Sequence, residues 1–276
     1  MPHVDTERTP AVAGRFYPSD RDELAREVAE YLGSRPDGRP DAAPPRPALG
    51  LVAPHAGYVF SGAVAGATYA RVAVPDRVIV LGPNHTGDGR RESTWPGGDW
   101  RTPLGTVPLD AELTQELVDA GAGVPDRGAH RREHSLEVQL PFLQLRQPRL
   151  RIAALCLGPL PWERCEELGR AVGEVARRRG ALVVASSDMS HYLPAREARR
   201  RDGLALERIL ALDPRGLLEV SEREDVSMCG RIPAAVMLVA AIAEGAREAE
   251  LVRYAHSGEV TGDDRSVVGY AGVVVS

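Results

Sequence analysis

A chain of 276 residues with 43% hydrophobic side chains can bury a substantial core, which excludes general disorder. Its 39 acidic and 34 basic side chains leave a formal charge of −5, which gives no basis for expecting nucleic acid or an anionic membrane as a partner. No segment approaches the roughly 20 apolar residues of a membrane helix, the opening MPHVDTERTP lacks the charged-then-apolar pattern of a signal peptide, and three cysteines are too few for a disulfide framework. Reduced thiols and a cytoplasmic location are therefore expected, with Cys156 and Cys165 read as small buried apolar residues.

In chain order, residues 20–33 (DRDELAREVAEYLG) show helical spacing of apolar positions behind a Ser19-Asp20 start that can cap a helix. The following SRPDGRPDAAPPRP, about 34–47, reads as a surface loop rather than a domain boundary, because what precedes it is too short to fold alone. ALGLVAPHAG is a short apolar run stopping at Pro54, and SGAVAGATYARVA is a helix of small residues suited to close packing. The runs DRVIVLGPNH, LRIAALCLGP and GALVVASSDMSH repeat the pattern of β-branched residues followed by a polar turn. Between the last two, WERCEELGRAVGEVARRRG has helical periodicity and a glycine stop. Four continuous apolar runs with intervening helices predict a mostly parallel sheet covered on both faces. Residues 199–212 and 232–244 read as helices, and 248–255 and 266–275 as closing strands. The expectation is one α/β domain over residues 1–276, its core spanning about 13–275, with a mixed sheet of seven or eight strands.

Ligand sites of open α/β sheets lie beyond the carboxyl ends of the strands. There LGLVAP delivers His55, RVIVLGP delivers Asn84 and His85, and ALVVASS delivers Asp188 and His191; only seven histidines exist to be scattered. His55 and His85 both follow a proline on tight turns, the rigid mounting a metal ligand needs. Asp188 and His191, three residues apart, share a face if they lie on a helical turn; Asp188 is then a further ligand or the group that orients His191 as an acid/base. Cys229, just ahead of the helix IPAAVMLVAAIA, is expected to have a lowered pKa, which suits either a metal-bound thiolate or a nucleophile. These five side chains are expected to converge on one pocket able to bind a single transition metal. Arg231 can hold an anionic substrate group. EHSLEVQLPFLQL reads as helical, with His134 and Glu137 one turn apart as substrate contacts or support, and Asn84 and Tyr58 complete the candidate substrate-binding set.

The segments AGRFYP, PHAGYVFSG, LGPNH, EHSLEVQLPFLQ, SSDMSHY and CGRIP together closely resemble the Memo-like family, whose bacterial and archaeal members are called AmmeMemoRadiSam system protein B. The resemblance runs from about Ala13 to the last strand. It implies a fold similar to class III (LigB-type) extradiol dioxygenases, a central mixed sheet flanked by helices, which in those enzymes carries a non-haem Fe(II) on two histidines and a glutamate. On this pattern His55 and His85 are the metal histidines, Cys229 stands where the carboxylate was, and His191 is the acid/base with Asp188 beside it. His256, in YAHSGE, departs from the glutamine expected there.

A thiolate in place of a hard oxygen shifts metal preference toward Cu(I), zinc or a thiolate-bound iron and puts an oxidisable group beside any activated oxygen. The leading expectation is an iron-dependent oxidoreductase acting on a small-molecule substrate. The alternatives are an iron- or copper-binding protein without turnover, docking an AMMECR-type protein and a radical SAM enzyme, and a zinc hydrolase in which the metal activates water.

Overall fold

The computed structural model describes residues 7–33 and 44–276; most of the loop expected at 34–47 lies outside the described residues. Helix α1 (Arg21–Gly33) starts as the sequence indicates: Asp20 Oδ1 accepts from the amides of Asp22 and Glu23 at 3.0 and 2.9 Å.

The apolar runs form four adjacent parallel strands: β1 (Gly50–Ala53), β2 (Arg77–Pro83), and, numbered after the shorter strands given below, β7 (Arg151–Leu157) and β8 (Leu182–Ser186). Their order across the sheet is β1-β8-β2-β7. Alternation along them is strict. Leu51, Val78, Val80, Ile152, Ala154, Leu182 and Val184 point to one core, whereas Val52, Ile79, Leu81, Ala153, Leu155, Val183 and Ala185 point to the other. Burial on both faces is why these strands read as continuous apolar runs rather than alternating ones.

One face is covered by α1, α2 (Tyr58–Ala70) and α4 (Leu140–Arg146). The other is covered by α3 (Ala111–Asp119), α5 (Trp162–Arg179), α6 (Ala195–Leu210), α7 (Pro214–Arg223) and α8 (Arg231–Glu244). The small-residue character of α2 has a direct cause: a methyl group on Gly66 would overlap the Tyr31 carbonyl, so α1 and α2 meet at backbone distance. Helix α5 stops at Gly180, whose φ of 61° is left-handed, as the glycine stop predicts.

The sheet is wider than expected. Among the described residues it has nine strands. β10 (Ala249–His256) and β11 (Val267–Val275) close one side, antiparallel to each other, with β11 antiparallel to β1. β3 (Glu92–Thr94), β6 (Val124–Pro125) and β9 (His191–Leu193) add two or three residues each, too short for a period-2 pattern to show in the sequence. A separate hairpin pairs β4 (Trp100–Thr102) with β5 (Gly105–Val107). A short α9 (Gly258–Thr261) links β10 to β11.

The architecture is thus a single α/β unit with a mixed, mostly parallel central sheet between two helical layers. Because β1, β8 and β2 are adjacent and parallel, the residues just beyond their ends gather at one edge. No helix of the described residues is long and apolar enough to cross a membrane.

Candidate metal centre

His55 lies two residues beyond β1, His85 two beyond β2, and Asp188 two beyond β8. Cys229 reaches the same place from the turn before α8. One donor atom from each of His55, His85 and Cys229 lies within 4.8 Å of the others. The Cys229 Sγ to His55 Nε2 distance is 3.2 Å. Two ligands sharing a tetrahedral ion at bond lengths of 2.0–2.3 Å lie roughly 3.5 Å apart, so this donor set fits a single transition-metal ion.

Hydrogen bonding assigns the free nitrogen of each imidazole. Ser186 Oγ donates to the Ser135 carbonyl at 2.6 Å and accepts from Gln139 Nε2 at 2.7 Å. Its one proton is spent on a carbonyl, so His55 Nδ1, 2.8 Å away, must be the donor to it. His55 Nε2 then carries the lone pair, facing Cys229. At His85, Nδ1 donates to Glu133 Oε1 at 2.9 Å while the His85 amide donates to Oε2 at 2.6 Å, again leaving the lone pair on Nε2 free. This is the carboxylate–histidine pairing that fixes tautomer and raises basicity at metal sites.

The electrostatics follow from burial. Burial pushes His55 well below the usual imidazole range, and the neighbouring His134, His85 and His191 push the same way, so it is neutral and able to ligate. Burial also lowers His85, but the Glu133 hydrogen bond and charge outweigh it and the net shift is upward. Burial raises Glu133, yet His85 and the Ser135 amide carry it down to about 2. The expectation of a lowered Cys229 pKa is overturned. Burial pushes the thiol up, the Asp188 carboxylate adds to this, and the Asp188 and Gly230 amides recover only part. Without a cation the sulfur holds its proton, which argues against a free nucleophilic cysteine.

Asp188 Oδ1 accepts from the amides of His55 and Ala56 at 2.8 and 3.3 Å, and its own amide donates to Cys229 Sγ at 3.2 Å. It does not share a helical turn with His191, which opens β9. The anchor of His191 is Ser227: the His191 amide donates to Ser227 Oγ at 2.8 Å and Nδ1 lies 3.1 Å from the Ser227 carbonyl. That leaves Nε2 free, and the imidazole is close enough for its charge to act on both His55 and Asp188.

The match of these elements to known proteins is extensive. A family model for Memo-like protein covers residues 8–274. The chain belongs to the Memo-like family. A MEMO1 family protein of Methanopyrus kandleri is 46% identical over 97% of this chain and 98% of its own. Another, from Aquifex aeolicus, is 40% identical with 97% and 98% covered. Among solved structures, the uncharacterized protein JW3007 from Escherichia coli K12 shares the fold, with a TM-score of 0.51 at 16% identity over 82% of this chain and 99% of that one.

Within this Memo-like chain the other candidates divide. His134 belongs at the centre: its ring stacks on His85 with centroids 4.8 Å apart and lies 5.4 Å from His55. Glu133 and His134 precede the helical stretch, which opens with a 3-10 turn at Glu137–Gln139. Glu137 is no substrate contact. It is fully buried and accepts from Arg8, Tyr17 Oη and the amides of Ala11 and Val12. Tyr58 is likewise buried, its hydroxyl donating to the Val138 carbonyl at 2.7 Å. Asn84 shapes its own loop, donating to the Asp88 carbonyl and accepting from Thr86 Oγ1 and the Gly87 amide. Arg231, exposed at the start of α8, lines a cleft of about 560 Å³ with Ser227 and Trp162. His256 is buried 3.9 Å from Glu259 and Asp264 and is outside the metal-binding group.

The residues missed from sequence are the supports: Glu133, Ser186, Gln139 and Ser227. Gln139 gave the one visible signal, a polar side chain inside the apolar run VQLPFL. Glu133→Gln is expected to weaken metal binding by about 10- to 100-fold, because the amide no longer fixes the His85 tautomer by charge. Competition with a chromogenic chelator measures it, and an unchanged affinity would show that His85 needs no such partner.

Proposed function

We propose that the protein is an iron-dependent oxidoreductase whose Fe(II) is held by His55, His85 and Cys229, with His191 moving the proton. The carrying observation is the convergence of three donor atoms whose imidazoles each have the other nitrogen tied, by Ser186 and by Glu133. Fe(II) on three protein ligands supplies open positions for substrate oxygens and dioxygen. With an ion bound, His55 and His85 would face it as neutral imidazoles and Cys229 as a thiolate, with the Asp188 carboxylate held beside them by the His55 amide. Ser227 holds His191 so that only Nε2 can take or give a proton. Ser186, itself held by Gln139, and Glu133 keep both imidazoles from rotating, which preserves the geometry at no cost of reorganisation during turnover.

Anaerobic reconstitution with Fe(II) tests this, with one iron per chain expected, followed by oxygen uptake against a panel of catechols. Full loading with no uptake on any catechol would sink ring cleavage. That same outcome is what a second reading expects: a thiolate ligand favours iron or copper handling without turnover, because an oxidisable sulfur stands beside the metal.

The pH dependence has a definite sign. A cation must displace the Cys229 proton, which burial holds on. Burial also raises the Asp188 carboxyl to about 6, against the pull of the His55 and Ala56 amides and of His191. Metal affinity is therefore expected to rise by about tenfold per pH unit once His85 is neutral, where only the thiol proton is released, and more steeply at lower pH, where His85 and then Asp188 must also give up protons. Chelator competition from pH 5 to 8 reads the slope directly; a flat profile would mean that no thiol proton is exchanged.

A further inference from the structure

Tyr192 breaks a local rule without a gain inside the folded chain. Its φ of 59° is left-handed, a conformation a bulky L-residue adopts only when its surroundings impose it. The imposing contacts are clear. His191 pairs with Val268 and Leu193 with Val267, so Tyr192 is the extra residue of a bulge in β9. Such a position is ordinarily given to glycine. His191, on one side of it, is clamped to Ser227.

The side chain returns nothing for this. Tyr192 is 79% exposed, the highest value for any large hydrophobic side chain among the described residues, and its ring meets that of His191 edge-on, 5.9 Å between ring centroids. Second in exposure is Val59 at 61%, four residues after His55. Among the described residues, the two most exposed large apolar side chains thus belong to the segments that carry His55, one of the two metal histidines, and His191, the proton-moving one. Bulges beside active sites re-aim a side chain, and strain retained there is commonly tied to function.

We propose that Tyr192 is the specificity-determining residue of the metal centre, forming an aromatic wall against a ligand that carries a planar ring. The inference rests on the metal-centre reading above. Aromatic pairs add modestly to affinity beyond buried area, so the effect is confined to ring-bearing ligands.

The test uses the full chain loaded with Zn(II), which is redox-silent, and two hydroxamates with the same chelating head: benzohydroxamate, with a ring, and acetohydroxamate, with a methyl group. Metal content is measured first; a wild-type chain that takes up no metal overturns the metal-centre reading and this inference with it. In loaded protein, Tyr192→Ala is expected to weaken benzohydroxamate by about three- to tenfold, leave acetohydroxamate within about twofold, and keep the metal content unchanged. Tyr192→Phe keeps both affinities. In metal-free protein, Tyr192→Gly unfolds at higher urea than wild type, because the strain is relieved. Unchanged benzohydroxamate binding in Tyr192→Ala, or equal losses for both hydroxamates, overturns the proposal while leaving the metal centre standing.

Discussion

Cys229→Ser is expected to cost the protein most of its metal, a loss of about 100-fold or more in affinity, at or beyond the upper end of what removing a supporting carboxylate costs. Of the three proposed donors, Cys229 is the one that would become anionic on binding; His55 and His85 would bind as neutral imidazoles. A serine hydroxyl keeps its proton and offers only a weak dipole, so a cation at this buried edge would lose its compensating charge. Softness adds a second signature. Thiolate favours Cu(I) and zinc over the harder Fe(II), so the serine variant is expected to lose copper and zinc more completely than iron. Cys229→Asp separates charge from softness. It restores an anion and is expected to retain Fe(II) in a two-histidine, one-carboxylate set while losing the soft-metal preference, although Asp188 beside it opposes a second carboxylate. Elemental analysis of anaerobically purified wild type and both variants, prepared side by side, decides the matter. Unchanged metal in Cys229→Ser would remove Cys229 from the ligand set.

The part of this centre that was legible in the sequence is the part carried by strand ends. β1, β2, β7 and β8 are buried on both faces, so their runs are continuous and their stops conspicuous, and His55, His85 and Asp188 follow those stops directly. Cys229 was legible because it precedes a strongly apolar helix. The supports were not, because their reason for being buried is another residue far along the chain: Glu133 serves His85, and Ser186 links His55 to Ser135 and Gln139. Helical spacing misplaced Glu137 and Asp188 for a related reason. Spacing predicts a shared face only where a helix exists, and both Glu133–Leu136 and Ser187–Ser190 are irregular turns. The sign of the Cys229 shift was misread because a helix start was weighed without the burial that overrides it.

The misreading of Glu137 leads to the largest stability effect expected here. Its carboxylate fastens the segment from Arg8 to Tyr17: Oε2 takes Arg8 Nη1 and the Ala11 amide, Oε1 the Val12 amide and the Tyr17 hydroxyl at 2.5 Å. Arg8 is itself buried, donating to the Glu133 and His130 carbonyls, with its guanidinium 4.4 Å from the Trp100 ring centroid. Glu137→Ala therefore strands a buried guanidinium and three further donors, and is expected to destabilise the chain by about 3–5 kcal/mol. Arg8→Met is expected to cost less, because Glu137 keeps Tyr17 and two amides. Glu137→Gln is not conservative either: every partner is a donor, so its NH2 must face one of them. Urea unfolding with constant slope gives these differences. The tie also reaches the metal centre, since the same segment lays Phe16 edge-on against His134, 4.8 Å between ring centroids, and the Phe16 carbonyl accepts from the Tyr58 amide at 2.7 Å. Loosening it removes the backing from the imidazole stacked on His85, so Glu137→Ala is expected to weaken metal binding as well as folding, whereas a destabilising change between α3 and α5, which carry none of the donors, would lower stability alone. If Glu137→Ala unfolds within about 1 kcal/mol of wild type, the carboxylate is not the fastening it is argued to be, and the support of His134 must come from elsewhere.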